Sequence, residues 1–208
     1  MIPTFEVDLS IEVDPRHLRL PTPGEVAYGV GDNRDYCWPG RMTWDDARTA
    51  IEEDTRLLEA ADAESTTEDE FEDAIYEQGG CSSYGWLELG VRSTVVALLA
   101  AGCITTYSCR GHGAKAPGHP YIRFQADAAR VLILLPLVKG AGCGMAPDPV
   151  TGCVGIWATS VPALHDLAAR IIGNASQFDS LAPLVDLDAE GLTLGIPDDD
   201  DDGEGWDS

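Results

Sequence analysis

The sequence predicts an α+β protein with a mainly antiparallel sheet, and three observations carry that prediction. The chain opens on a strictly alternating apolar and polar stretch. Its middle repeats one helix-then-hairpin pattern, and helical periodicity recurs before and after that repeat.

Taken in order, Phe5, Val7, Leu9, Ile11 and Val13 alternate with Glu6, Asp8, Ser10, Glu12 and Asp14, which places five apolar side chains on one face of a strand. The Pro, Gly and Asn content of 15–41 reads as irregular connection, with a short strand suggested over 26–30. Thr43 ahead of Trp44, Asp45 and Asp46 forms a helix start, and Ala47, Ala50, Ile51 and Leu58 continue one apolar stripe to about Ala61. Thr67 and Glu70 make a second capping box before Phe71, Ala74 and Ile75, closed by Gly79 and Gly80. The outer faces of both helices are acidic, so 43–78 reads as an acidic helical insertion.

The next pattern is a duplication. A helical segment 87–101 ends in Gly102-Cys103, and a helical segment 127–141 ends in Gly142-Cys143, an offset of 40 residues. Each leads into a candidate hairpin, with second strands at 121–125 and 154–158, which gives repeat copies 87–126 and 127–160. Cys103 and Cys143 read as core, as do the apparent counterparts Phe124 and Trp157. The first copy is longer by seven residues, and the excess falls around Cys109, Arg110, Gly111, His112, Lys115 and His119. Insertions on a rigid scaffold are where sites concentrate. A last helix over 161–172 and a terminal hairpin over 184–187 and 192–196 complete a single domain, 1–197. The run Asp198–Asp202 and its Gly-rich continuation to 208 cannot bury a core and read as a disordered acidic tail.

The formal charge is −23, and it is local. Between Asp45 and Glu77 fourteen acids face Arg48 and Arg56, and from Asp186 onward ten acids face no Lys or Arg. In Tyr84 to Arg170 seven Lys or Arg outnumber Glu88, Asp127, Asp148 and Asp166. A mildly basic island in an acidic chain can attract a phosphate or a nucleotide, whereas its acidic segments repel bulk nucleic acid. No apolar run is long enough for a bilayer span, and six cysteines without framework spacing indicate reduced thiols; both point to a soluble, cytoplasmic chain.

Three chemistries compete in the hairpin 105–125. Cys109 and His112 have the gap that lets one turn present two ligands to a zinc ion, with His119 as a third. Cys109 at a turn beside Arg110 and His112 also reads as a catalytic nucleophile, with His112 as its partner. On the sheet, Thr105, Tyr107 and Cys109 are expected to point outward with Tyr121, Arg123 and Gln125, while Ile104, Thr106 and Ser108 point inward with Ile122 and Phe124. Two Tyr and an Arg on one open face can stack a planar ring and neutralise a phosphate. Against these stands the plain account of a Gly111 and Gly113 turn, solvated histidines and a buried Cys109.

The segment Thr105-Thr106-Tyr107-Ser108-Cys109-Arg110-Gly111 resembles the Thr-Thr-x-Ser-Cys-x-Gly motif of the wybutosine-synthesis tRNA methyltransferase family. That resemblance implies an RNA-modifying enzyme that uses S-adenosylmethionine, with Ser108 and Cys109 in the site. His112 stands where the family continues with a basic residue. A helix ending Ala-Gly-Cys before a Thr-x-Ser-Cys-x-Gly strand is also similar to a group of uncharacterised bacterial proteins. The expectation is a small anionic or nucleotide-like ligand held by Tyr107, Ser108, Arg110, Tyr121 and Arg123. The alternative is an acidic interaction module whose helices and tail engage a basic protein partner.

Overall fold

The computed structural model describes residues 2–28, 42–79, 84, 87–111, 118–148 and 151–185. Its helices begin where the caps predict. The Thr43 hydroxyl accepts the Asp46 amide at 3.1 Å while the Asp46 carboxylate accepts the Thr43 amide at 2.7 Å, which starts α2, Trp44–Glu64. Thr67 and Glu70 exchange the same pair of bonds, each at 3.2 Å, and start α3, Glu68–Gly79. Each such cap is worth about 1 kcal/mol. The apolar stripes of these two helices meet through Leu57, Leu58, Ala61, Phe71 and Ile75, and join the rest of the protein at Leu89 and Val161.

The duplicated unit is visible in three dimensions. In the first copy α4, Arg92–Ala100, leads into β1, Ile104–Cys109, and β2, Tyr121–Gln125. In the second, α5, Ala128–Gly140, leads into β3, Cys143–Pro147, and β4, Val154–Ala158. Gly102 and Gly142 both adopt positive φ, +76° and +69°, and turn the chain from helix to strand. Arg130 and Arg170 also stand 40 residues apart, but the guanidinium of Arg130 lies against Gly102 whereas that of Arg170 lies against Gly140, two residues before the counterpart Gly142. Arg130 completes the first junction by donating to the carbonyls of Ala101 and Ala182.

The four strands form one antiparallel sheet in the order β1-β2-β4-β3, so the two hairpins meet through their second strands. Ile122, Phe124, Met145, Val154 and Ile156 form its inner face. They pack on α4, α5 and α6, Val161–Gly173, the last contributing Leu164, Leu167, Ala168 and Ile171 as its periodicity predicts. Cys103 and Cys143 are core residues, and burial pushes both thiols up to about 12.

Several expectations are corrected. The alternating segment 5–13 lies against β3, but only Ile11 bridges a strand residue, Met145, and in parallel sense. The Glu12 amide and the Ser10 carbonyl bond Met145, but other backbone groups of the segment are engaged elsewhere: the Asp8 carbonyl accepts the Trp157 indole N–H, the Phe5 amide bonds Thr159, and β3 ends at Pro147, which has no N–H to extend a ladder. The strand suggested over 26–30 is instead the end of a short helix, α1, Pro23–Tyr28, and 29–30 lie outside the described residues. The helix expected from 87 starts at Arg92, after turns at Leu87–Val91. Trp157 is not core: it is half-buried on the outer face, and Ile156 takes the inward position beside Phe124. A helix not anticipated, α7, Ala175–Asp179, seats Phe178 in the core. Leu184 and Val185 form a bend, and the rest of the expected terminal hairpin and the tail lie outside the described residues. No helix among the described residues is long and apolar enough to cross a membrane.

Candidate functional site

The site is built on the outer face of the first hairpin, and a β-bulge decides which side chains reach it. Tyr107 pairs with Arg123, Ser108 with Ile122 and Cys109 with Tyr121, whereas on the other side of Thr106 the pairs are Thr105 with Phe124 and Ile104 with Gln125. Cross-strand partners share a face. Tyr107, Tyr121 and Arg123 therefore lie outward together, as expected. Beyond the bulge the faces exchange, and Ile104 shares the face of Gln125 rather than that of Phe124. Thr106, the extra residue, turns its hydroxyl to Arg123, donating to its carbonyl at 3.3 Å and accepting from its Nε at 3.1 Å.

The guanidinium carbon of Arg123 sits 5.6 Å from the centroid of the Tyr107 ring, within range of a cation–π contact. The Tyr107 and Tyr121 rings are 6.1 Å apart and inclined at 54°. Tyr121 lies over Gly155, the residue opposite Arg123 on β4; a Cβ there would stand 2.6 Å from the Tyr121 hydroxyl oxygen. That hydroxyl donates to Asp148 at 3.0 Å, and the other Asp148 oxygen accepts the amide and hydroxyl of Thr151, both at 2.8 Å. Burial pushes the Asp148 carboxyl up, but these Thr151 and Tyr121 bonds outweigh it and hold the group below the usual carboxylate range. Burial and the Asp148 charge push the Tyr121 phenol well above its ordinary value. Next along β4, the Trp157 ring lies on Gly144 in the same manner.

The structure separates other residues predicted for the site. Ser108 shares the face of Ile122, opposite to Tyr107. The Arg110 side chain is almost sealed and pairs with Glu72 of α3 at 2.9 Å, while its amide donates to Glu88 at 2.8 Å. Cys109 is buried, and burial pushes its thiol up, with the Gly111 amide pulling the other way. Gly111, at φ +87°, lets the backbone of His119 pass so closely that a Cβ would stand 2.6 Å from the His119 carbonyl carbon. Burial lowers the His119 imidazole. His112 and Lys115 lie outside the described residues. Among the described residues no group of three His, Cys, Asp or Glu side chains could hold a metal ion, so the expected zinc set of Cys109, His112 and His119 gains no further ligand from them.

No protein-family model matches the chain, and neither a curated protein nor a solved structure matches it.

Two features escaped the sequence reading. On the outer face, the Gln125 amide is sealed, with neither its oxygen nor its nitrogen in a hydrogen bond. In the helical layer, Asp54 and Arg92 are both wholly buried and meet at 2.7 Å, with the Ser93 amide also donating to Asp54 at 2.9 Å. The two terminal nitrogens of Arg92 have no partner. Beside this pair, His165 contacts Thr55 at 2.9 Å through Nε2 and Ser93 at 3.3 Å through Nδ1. The Thr55 hydroxyl already donates to Ile51, so Nε2 is the protonated nitrogen of the neutral ring. His165 lines an open cleft of about 210 Å³ together with Ile2, Glu59, Asp62 and Pro162. Long-range ion pairs of this kind leave no local sequence signal, because 38 residues separate Asp54 from Arg92. The acidic faces of α2 and α3 are exposed as predicted, and Tyr76 stands 81% exposed among their carboxylates.

Proposed function

We propose that the outer face of the first hairpin binds a small anionic, nucleotide-like ligand. The observation that carries this reading is the Arg123 guanidinium held between the Thr106 hydroxyl and the Tyr107 ring, with Tyr121 alongside. A ring surface takes the flat face of a heterocycle, and a half-buried guanidinium takes a phosphate oxygen in a charge-assisted bond. The Asp148 carboxylate fixes the Tyr121 hydroxyl beside this face.

The overall charge selects among ligands of this chemistry. A net charge of −23 repels a long polyanion, whose affinity depends on many phosphate contacts, far more than a molecule with one phosphate. A mononucleotide therefore suits this face better than RNA does.

Calorimetric titration of the full chain with nucleoside monophosphates and with inorganic phosphate tests the reading. Saturable binding is expected, weakened about tenfold or more by either Arg123→Ala or Tyr107→Ala, in line with the worth of a stacking contact or a charge-assisted bond. Absence of any nucleotide binding at millimolar concentration, or binding unchanged in both variants, sinks it.

A further inference from the structure

Where the end of α4 meets α7 and the chain that follows it, the structure holds an open pocket of about 230 Å³. Met42, Leu99, Phe178 and Leu181 supply apolar walls. A cavity of about 150 Å³ accepts benzene, so this pocket has room for a single ring with a short side chain. None of Tyr107, Tyr121 and Arg123 lines it, and it is therefore distinct from the hairpin face. Apolar pockets with a few convergent polar groups are where small molecules bind.

The polar groups of this pocket favour a cation. Asp179 is the only acid in the lining, and its carboxylate is fixed in place: one oxygen accepts the Trp44 indole N–H at 2.7 Å, while the Trp44 ring packs on Phe178 with centroids 6.1 Å apart. A carboxylate has further lone pairs to offer. Ala100 and Ala101 bring the C-terminal, negative end of α4 to the same pocket. Arg130 is the only base in the lining, and its charge is already met, by Asp127 at 2.6 Å and by the carbonyls of Ala101 and Ala182. The net charge of −23 further raises the local concentration of cations. The pocket is also graded in polarity, since Phe178 is buried whereas Asp179 is exposed.

We propose that this pocket binds a protonated arylalkylamine, with the aromatic ring against Phe178 and the ammonium on the Asp179 carboxylate. The order of contacts follows from the grading. A ring gains by leaving water for the apolar walls, and an ammonium keeps part of its hydration at the exposed end while meeting its counter-charge.

The test titrates phenethylamine into the full chain, followed by calorimetry and by the NMR resonance of the Trp44 indole N–H. Saturable binding that shifts this resonance is expected. Phenylpropionate, which has a carboxylate in place of the amine, and butylamine, which lacks the ring, are each expected to bind about fivefold or more weakly. Asp179→Asn keeps an oxygen for Trp44 and removes the charge; it is expected to melt as the wild type does and to lose about fivefold in affinity for phenethylamine, the worth of an ion pair near solvent. No binding of phenethylamine at millimolar concentration, or binding that leaves the Trp44 resonance in place, overturns the pocket as its site. Equal affinity for phenylpropionate, or undiminished affinity in Asp179→Asn, overturns the role of Asp179, and equal affinity for butylamine overturns that of the ring.

Discussion

Two arginines in this protein sit in opposite surroundings. Arg92 is wholly buried in the helical layer, its Nε fixed on the equally buried carboxylate of Asp54. Arg123 is half-buried on the outer face of the sheet, where its Nε donates to the Thr106 hydroxyl and its guanidinium lies over the Tyr107 ring. A buried charge pair binds the helices together, because removing one partner strands the other in a medium that cannot solvate it. A guanidinium at the edge of solvent costs less to keep than a sealed one. The same side chain therefore serves cohesion in the helical layer, and on the outer face it is the group we propose for recognition.

The largest expected effect lies at Asp54. Asp54→Ala leaves Arg92 without its counter-charge and is expected to destabilise the fold by about 3–5 kcal/mol, measured by urea denaturation. A loss below 1 kcal/mol would mean that water reaches Arg92 and that the two environments are not opposites. On the outer face, Gly155→Val should cost about 1–3 kcal/mol by forcing Tyr121 off the sheet and off Asp148. It should also abolish nucleotide binding, since Tyr121 stands beside Tyr107; denaturation and titration of the same variant read both effects.

The smallest effect sharpens the contrast through pH. Burial pushes the His165 imidazole below the ordinary histidine value, against the opposing pull of Asp54 and Asp166. A base whose folded pKa is depressed binds more protons when unfolded. Its stabilising contribution is thus present above the unfolded value near 6.5 and is lost as pH falls from there through the folded value. Denaturation midpoints should decline over that window in the wild type and decline less in His165→Gln. An identical pH profile in the variant would show that the helical layer does not sense the protonation of this ring.

Much of the helical layer was legible in the sequence because its signals are local. Thr43 with Asp46, and Thr67 with Glu70, lie within one turn of each other, so their bonds follow from spacing alone. Gly102 and Gly142 end their helices for the equally local reason that glycine adopts positive φ without a Cβ penalty. The outward grouping of Tyr107, Tyr121 and Arg123 was also legible, since period-two alternation fixes faces as long as the ladder is regular. The candidate site was legible up to the point where the ladder stops being regular. The bulge at Thr106 is a property of two strands, not of one, and it changed which face Ile104 occupies.

The α+β class, the two capped acidic helices, the duplicated helix-and-hairpin unit and the candidate face all follow from contacts between near neighbours or from simple periodicity in the chain. The remaining contacts arise only when distant segments pack. Packing sent Arg110 to Glu72, turned Trp157 onto Gly144, kept the N-terminal segment to a single bridge and buried Asp54 with Arg92. Each outcome depends on which distant groups arrive first at a donor, an acceptor or an open glycine, and no local pattern encodes that competition.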